Sequence, residues 1–566
     1  MRGASLLWQR SLQGGIVLVL GVMLSLLVLA PLAMLVYLAL TSASPFGVQE
    51  VHWTLDNLRG LWSPRVGRAA LNTLIIATSG TIMAMVLGGL LAWLAARSDI
   101  PGKPLVHVAG IMPVFISLLI AAVTWSLLAS GRSGYLNLMF DAMGLPFRVE
   151  VQSLAGIAFV TGLYYAPYPF ILLYAALTLV HPDFEEAAAV HNAGLGRTLT
   201  RVTFPLVKPA LIGSALLVFV LIAEDFPVPR ILGGPAGIET LAVQIYNLMN
   251  RAPAQANEAS AVALLLTAVV FALVFTQRRV LSKGDYRTVT GKGIQPRTIP
   301  LGVWKIPALI FVGLYLLIGI VLPIFALVQG SVRANLFIRD FGALFDVSQM
   351  TLNHIVAAAN DPQVQRGFRN SLLAGGITAV FGCLLYFTVA YAVLRTELPG
   401  RRYLEYLAMV PLAIPALVLA LGVLWFWLQA PLPIYGTIAI LVIAFMARFM
   451  PQGYRTIAGS IVQVHDDLEQ AAMVSGATRL QAVRRITLPL LRGAVVSAAF
   501  LMLVLGIREL TASLFLYTSR TQVLSIVIYE RFEDGVWSSV ASISLLYTAL
   551  LVVLTLAGRR WMRAGV

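Results

Sequence analysis

Residues 181–206 read HPDFEEAAAVHNAGLGRTLTRVTFPL, and residues 465–490 read HDDLEQAAMVSGATRLQAVRRITLPL. The two stretches align without gaps and are identical at 11 of 26 positions, 284 residues apart. Unrelated segments would agree at only a few positions. The chain therefore carries one motif twice, which predicts that its two halves arose by duplication.

Further matches lie outside the motif. Asn72 matches Asn370, Pro101 matches Pro399 and Pro113 matches Pro411, each 298 positions apart. The difference between 298 and 284 predicts an insertion of 14 residues in the first half, around residues 131–152. A loop is the expected place for it, because loop length changes at little energetic cost.

The amino-acid composition indicates whether water or lipid surrounds the two halves. Of 566 residues, 59% are apolar and only 11% are charged, whereas soluble proteins carry about 25% charged residues. So few charges cannot cover a water-facing surface of this size. Lipid must therefore face much of the protein.

Apolar segments long enough to cross a bilayer, which takes about 20 residues, recur along the whole chain. The first, residues 15–40, exceeds the apolar core of a signal peptide, so we expect a retained helix. Pro431 and Pro433 divide one long apolar region into two helices. The predicted spans are 15–40, 70–95, 105–129, 154–180, 208–226, 259–276, 306–330, 369–394, 404–428, 434–454, 493–516 and 539–558.

These spans predict an all-α integral membrane protein of about 12 transmembrane helices in two parallel six-helix repeats. The first repeat occupies residues 1–276 and the second residues 306–566, joined by a basic linker at 277–305. With both termini in the cytoplasm, 26 of the 40 Lys and Arg and 10 of the 25 acids lie on the cytoplasmic side. Basic residues stay on that side during insertion. The net charge of +15 is then a topology signal, and we expect membrane lipid but no nucleic acid as a partner.

The two repeated loops, at 181–206 and 465–490, fall in the cytoplasm by this count. Each is predicted to form a short helix, a turn of small residues and a second helix, closed by Pro205 or Pro489. Small alanines allow another protein to approach closely, and an exposed Glu offers an acceptor that an arginine can hold. A loop lying on the membrane is the alternative, which the matched pair of loops disfavours.

The pattern Glu-Ala-Ala, then Gly, then hydrophobic-x-Leu-Pro resembles the signature loop of permeases of binding-protein-dependent ABC importers. That resemblance implies the type I ABC importer permease fold and a coupling helix seated in the ATPase subunit. The first copy departs from the pattern, with Asn192 at the Gly position and Phe204 at the Leu position, although Asn tolerates positive φ. The residues to which the resemblance assigns coupling are Glu185, Glu186, Ala187, Ala188, Asn192, Pro205, Glu469, Ala471, Ala472, Gly476 and Pro489.

Over nearly its whole length the chain is similar to the fused two-repeat permeases of the ferric-iron importer family, whose relatives move thiamine, phosphonates, sugar phosphates or polyamines. Residues 223–226, 231–239 and 508–513 support this similarity. It implies a bacterial inner-membrane protein with two copies of a cytoplasmic ATPase that bind ATP and Mg. It also implies an extracytoplasmic binding protein that docks on loops such as 227–258 and 517–537.

We expect no catalytic site, metal site or cofactor in this chain. It has one cysteine, Cys383, and no cluster with metal-ligand spacing. The phosphate-binding pattern GxxxxGK[ST] is also absent from the sequence. A secondary transporter of the major facilitator type remains the competing class, but it needs no matched Glu-Ala-Ala loops. A channel would need a pore-lining repeat.

Four charged residues, Glu224, Asp225, Arg508 and Glu509, lie towards the outer ends of apolar spans. A charge at membrane depth costs about 2.5–3.5 kcal/mol and usually faces a partner or a watery cavity. They are predicted either to line the translocation path or its gate, or to form an ion pair that only fixes packing. Arg448 and three tyrosines also approach the path in this interpretation, although membrane-interface anchoring is the simpler role for Tyr164, Tyr165 and Tyr168.

Overall fold

The protein folds as a bundle of helices. The computed structural model describes residues 2–43, 51–131, 133–180, 190, 194–282, 298–335, 338–397 and 399–564. Within these residues the only β-type pairing consists of isolated bridges, such as that between Thr41 and Trp53. The predicted all-α fold class is confirmed.

Helices of the two halves follow one another in the same order. The first half contains α1 Arg2–Ala39, α2 Asp56–Arg59, α3 Pro64–Arg97, α4 Lys103–Ile111, α5 Leu118–Ala129, α6 Tyr135–Ala142, α7 Leu154–Tyr165, α8 Pro167–Leu179, α9 Leu195–Thr198, α10 Phe204–Ala223, α11 Leu241–Met249 and α12 Ala256–Ser282. The second contains α13 Lys305–Leu316, α14 Leu322–Val332, α15 Asn353–Asn360, α16 Pro362–Ile377, α17 Cys383–Arg395, α18 Arg401–Met409, α19 Ala416–Gln429, α20 Ile438–Gln463, α21 Asp467–Val474, α22 Arg479–Ala482, α23 Leu488–Leu490, α24 Arg492–Arg508, α25 Leu524–Glu533 and α26 Trp537–Ala564.

Several helices join through single π-helical turns, which keep the axis continuous. One such turn, Thr378–Gly382, joins α16 to α17, and another, Val483–Thr487, joins α22 to α23.

Seven helical segments in the described part of the chain are long and apolar enough to cross a membrane. Four further pairs of helices meet at a bend, and counting each pair as one span raises the number to eleven. Each of the twelve predicted segments overlaps one of these eleven or α20, a helix of 26 residues. The prolines at 431 and 433 lie in the turn between α19 and α20, as predicted.

The duplication is visible in how the helices begin. The Ser63 hydroxyl accepts a hydrogen bond from the backbone N–H of Val66 at the start of α3, and the Asp361 carboxylate does the same for Gln363 at the start of α16. Each cap is followed by a proline at the first helical position, where no N–H is needed. The first half also contains α6 between α5 and α7, at the predicted insertion, whereas a short turn connects α19 to α20.

Each half packs part of its first span on the other half. Helix α1 packs on α18 and α19 of the second half, and α14 packs on α5 of the first. Gly422 permits one of these approaches, because a Cβ there would lie 2.6 Å from the Pro31 carbonyl oxygen. Buried apolar residues of both halves form one continuous core, so the halves fold as an interlocked pair.

Candidate functional site

The second repeated loop forms a compact helix–turn–helix, which we call the elbow (residues 465–490). Helix α21 ends at a turn in which Gly476 has φ of 93°, a value that side chains other than glycine rarely adopt. Helix α22 then begins with a capping box, in which Thr478 and Gln481 bond each other's backbone N–H groups. The predicted order of helix, small-residue turn and helix is therefore present.

Glu469 does not have the exposed position that we expected. Only 5% of its surface is accessible, and its carboxylate points into the protein. The Tyr391 hydroxyl of α17 donates to Oε2 at 2.8 Å, and the Thr487 hydroxyl donates to Oε1. The prediction of a free acceptor was wrong because spacing along a short helix does not reveal which face is covered. Glu469 instead ties α21 to the membrane helices.

Apolar side chains are exposed on the elbow, in contrast to the buried Glu469. Leu468, Val474 and Leu480 expose 47%, 89% and 77% of their surface. Ala471 is exposed beside them, and Ala472 is half-buried. An exposed apolar patch of this kind on a membrane protein's loop is typical of a protein–protein contact.

Residues of the first repeated loop can be placed only in part. Glu185, Glu186, Ala187, Ala188 and Asn192 lie outside the described residues, so their predicted role stays a prediction. Pro205 lies in the first turn of α10 and Pro489 in the first turn of α23. Both prolines thus occupy positions that a helix start accepts.

The charged residues predicted at membrane depth meet at one cavity between the two halves. Glu224 directly follows α10, and Arg508 is the last residue of α24. The cavity has a volume of about 160 Å³. Its polar lining consists of Ser117, Tyr165, Tyr168, Glu224, Asp225, Arg448, Arg508, Glu509 and Thr511.

An ion pair crosses this cavity from one half to the other. Arg448 of α20 approaches Glu224 with 2.5 Å between Nη2 and Oε1, and both side chains are largely buried. Arg508 does not join this ion pair in the described structure and donates a hydrogen bond to the Ile116 carbonyl oxygen at 3.4 Å. Glu509 accepts from the backbone N–H of Ala512 at 2.9 Å.

Tyr165 belongs to the same cluster. Its hydroxyl donates to Asp225 Oδ1 at 3.4 Å, and the backbone N–H of Val228 donates to Asp225 Oδ2 at 3.2 Å. Tyr164 and Tyr165 are buried inside the protein, whereas Tyr168 is partly exposed. Interface anchoring therefore does not describe Tyr164 or Tyr165.

A second contact between the halves lies beyond the cavity, at the end of the bundle opposite the elbow, which we call the far face (helices α11 and α25 with their loops). Arg230 donates to Glu533 at 2.7 Å and to the Tyr529 hydroxyl at 3.0 Å. The aromatic rings of Phe226, Tyr246 and Tyr529 pack against one another, and the Arg230 guanidinium lies over the Tyr246 ring. The sequence did not identify this contact, because Arg230 and Glu533 do not occupy matching positions in the two halves.

Among the described residues, no group of three His, Cys, Asp or Glu side chains is placed to hold a metal ion. The single cysteine, Cys383, is buried.

A comparison with known proteins finds the same protein family in both halves of the chain. A family model described as the binding-protein-dependent transport system inner membrane component matches residues 80–284 and again residues 390–564. The ferric transport system permease protein FbpB of Actinobacillus pleuropneumoniae is 29% identical over 432 residues, which cover 75% of this chain and 61% of that protein. The chain thus aligns with less than two thirds of that relative's length.

Two proteins of Haemophilus influenzae are similar over more of their length. The putative ferric transport system permease protein FbpB 1 is 27% identical, covering 83% of this chain and 73% of that protein. The Fe(3+)-transport system permease protein FbpB 2 is 24% identical, covering 86% and 88%. A solved bacterial ABC transporter that imports alginate aligns with 46% of this chain and 96% of its own at 18% identity and a TM-score of 0.37, too distant for a comparison of sites. Because the family model matches both halves and more than half of the chain, this protein belongs to the family of binding-protein-dependent transport system inner membrane components.

Proposed function

We propose that this chain is the permease subunit that forms the translocation path of an ATP-driven importer, with the repeated loop of each half, residues 181–206 and the elbow, as the contact for an ATPase. The observation that carries the proposal is the elbow, whose apolar surface is exposed while Glu469 fastens it to the membrane helices. A protein whose cytoplasmic loops had no partner would not need both features together.

The proposed topology has twelve spans in the bacterial inner membrane. Helix α20 is the twelfth span, because it is long enough to cross a bilayer. It also lies between two other spans of the chain and has to connect them across the membrane. The excess of Lys and Arg supports a cytoplasmic position for both termini, the linker and the two repeated loops. The far face is then extracytoplasmic.

Two copies of an ATPase are the proposed cytoplasmic partners, one for each repeated loop, and they bind the ATP and Mg. An extracytoplasmic binding protein is the proposed partner of the far face, on loops 227–258 and 517–537. Lipid surrounds the bundle, and no nucleic acid takes part. The permease itself performs no bond-breaking chemistry.

Ferric iron is the proposed substrate. The relatives named above carry ferric or Fe(3+) transport in their names, and the carboxylates of Glu224, Asp225 and Glu509 face one cavity. Acidic side chains around a passage attract cations. While the ion pair is formed, the charge of Arg448 neutralises that of Glu224. The passage therefore becomes more negative when the ion pair separates.

The proposed cycle is alternating access. ATP binding brings the two ATPase copies together, the repeated loops move with them, and the cavity opens towards the far face to receive the ion from the binding protein. Hydrolysis of ATP returns the permease to the arrangement in which the Arg448–Glu224 ion pair is formed. An ABC permease that imports thiamine, a phosphonate, a sugar phosphate or a polyamine would follow the same cycle with another ligand.

Reconstitution in proteoliposomes tests this function. Uptake of radiolabelled iron should require ATP, the ATPase and the iron-loaded binding protein together. Uptake driven by an ion gradient without any ATPase would favour a secondary transporter and contradict the proposal. ATP-dependent uptake of another ligand of the binding protein, with no iron uptake, would contradict the substrate only.

A further inference from the structure

The second span of each half has the same length and the same ends. It runs from Pro64 to Arg97 in the first half and from Pro362 to Arg395 in the second, 34 residues in both. Both ends differ by 298 positions, the offset of the repeat in this region. At a rise of about 1.5 Å per residue, each span extends over roughly 50 Å, so it reaches from the elbow side of the bundle to the far face.

At the elbow end, each span finishes in a buried arginine that holds the chain just before the repeated loop. Arg97 donates to the carbonyl oxygen of Val180 at 2.8 Å. Arg395 donates to the carbonyl oxygen of Val464, and also to that of Ile461. Val180 and Val464 are the last residues before the two loops. The sequence repeat aligns both the arginines and the valines.

At the far end, each span holds the segment that begins the helix on the far face. Asn72 donates to the Glu239 carbonyl oxygen at 2.9 Å, and Asn370 donates to that of Gln522, also at 2.9 Å. One residue further along each span, a hydroxyl accepts the N–H that starts the far-face helix. Thr73 accepts from Leu241 at 2.9 Å, and Ser371 accepts from Leu524 at 2.8 Å.

The second half adds a direct connection from the span to the elbow. Tyr391, one turn before Arg395, donates to Glu469 of α21 and accepts from Arg479 of α22 at 3.2 Å. Arg395 also forms an ion pair with Asp466, which precedes α21. Both helices of this elbow are therefore fixed to the last turn of a single span.

We propose that the second span of the second half carries the movement of the elbow to the far face as one rigid body, with Asn370 and Arg395 as its positioning residues. Asn72 and Arg97 make the corresponding contacts in the first half. A continuous helix held at both ends by side chain to backbone bonds cannot shift at one end without displacing the other, because packed interiors deform little. The far-face helices carry Tyr246 and Tyr529, beside the Arg230–Glu533 contact between the halves. An elbow displacement thus opens or closes that contact, and binding-protein docking acts on the ATPase by the same route. The inference rests on the proposed function.

The test uses the full complex of permease, ATPase and binding protein in lipid nanodiscs. The variants are Asn370→Ala at the far end and Arg395→Lys at the elbow end, with the exposed Asn360→Ala as the matched control. We expect the stimulation of ATPase activity by loaded binding protein to fall by about fivefold or more in each variant, since coupling energies between sites correspond to factors of that size. Basal ATPase activity and the amount of bound ATPase should not change in Asn370→Ala, whose side chain lies at the end of the span away from the elbow. The double variant should lose no more stimulation than either single variant.

Stimulation that persists in a folded Asn370→Ala complex would overturn the inference, as would a double variant in which the two losses multiply. Should Asn370→Ala fold poorly, Ser371→Ala examines the same end with smaller disturbance. A wild-type complex that binds no ATPase would instead overturn the proposed function.

Discussion

Arg448 of the second half and Glu224 of the first form an ion pair across the interface between the halves, with 2.5 Å between Nη2 and Oε1. In the described structure neither residue forms a direct ion pair within its own half. The ion pair can therefore form only while the two halves are close together at this level of the bundle. Its presence indicates that the cavity is closed.

Arg448→Met should destabilise the protein and impair transport. Removing one member of a buried ion pair leaves the other charge uncompensated, at about 3–5 kcal/mol. The midpoint of thermal unfolding should fall, and so should iron uptake in proteoliposomes. Combining it with Glu224→Gln should restore the unfolding midpoint, because residue 224 then carries no charge that lacks its partner, but should not restore uptake. A single Arg448→Met variant as stable as the wild type would contradict the pair's role.

Glu469→Lys should uncouple ATP hydrolysis from transport. The lysine would place a cation beside Arg479 and remove the acceptor of Tyr391 and Thr487. Tyr391→Phe removes one of the two hydrogen bonds to a charged group, worth about 1.5–3 kcal/mol, and should give a weaker form of the same defect. The measurement is iron transported per ATP hydrolysed. Asp467→Asn, an exposed acid on the same helix, is the control and should transport normally.

Gly476→Ala should weaken binding of the ATPase. Its φ of 93° is strained for any residue with a Cβ, and such strain costs about 1–3 kcal/mol. The turn between α21 and α22 would relax and misplace the exposed apolar side chains. The readout is the affinity of detergent-purified permease for ATPase. Gly459→Ala provides a matched control, since a Cβ there meets nothing within 4 Å; equal affinities for the two variants would exclude a role for the turn.

Glu239→Gln should reduce stability at neutral pH but not in acid. The hydrogen bond from the Arg65 guanidinium holds the pKa of the Glu239 carboxyl below its usual value of 4.5. A lowered pKa in the folded state gives stability that is present above the usual pKa and is lost as pH falls through the folded-state value. For a partly exposed pair we expect less than about 1 kcal/mol.

Thermal unfolding of both proteins at several pH values provides the measurement for Glu239. The difference in midpoint should be constant above pH 5 to 6, the region where the unfolded carboxyl is ionised, and should shrink below the usual pKa of 4.5. A difference that grows on acidification would show that the ion pair does not lower the pKa.

Repetition made most of the fold predictable from one sequence. The offset of 298 aligns the ends of α3 with those of α16 and α17, and the offset of 284 aligns the two repeated loops. Asn72 and Asn370 were matched in the sequence before any contact was known, and Arg97 with Arg395 could have been found in the same way. Identical residues at equivalent places predict identical local contacts.

Contacts between unequal positions could not be predicted. Arg448 meets Glu224, and Arg230 meets Glu533, only because helices from opposite halves cross there, and periodicity within a helix says nothing about its neighbour. The burial of Glu469 has a similar cause. Its covered face is set by α17, a helix more than seventy residues earlier in the chain, as the Tyr391 contact shows.

The packing of α1 and α14 on the opposite halves bears on how the protein is made. Each half covers apolar surface of the other with part of its own first span, so two separate chains would have to find each other and interlock after insertion. A single translation product supplies the two unlike halves in equal number and at high local concentration. It also prevents two copies of the second half from pairing, which would place Arg448 opposite Arg508, the residue 284 positions after Glu224, rather than opposite Glu224.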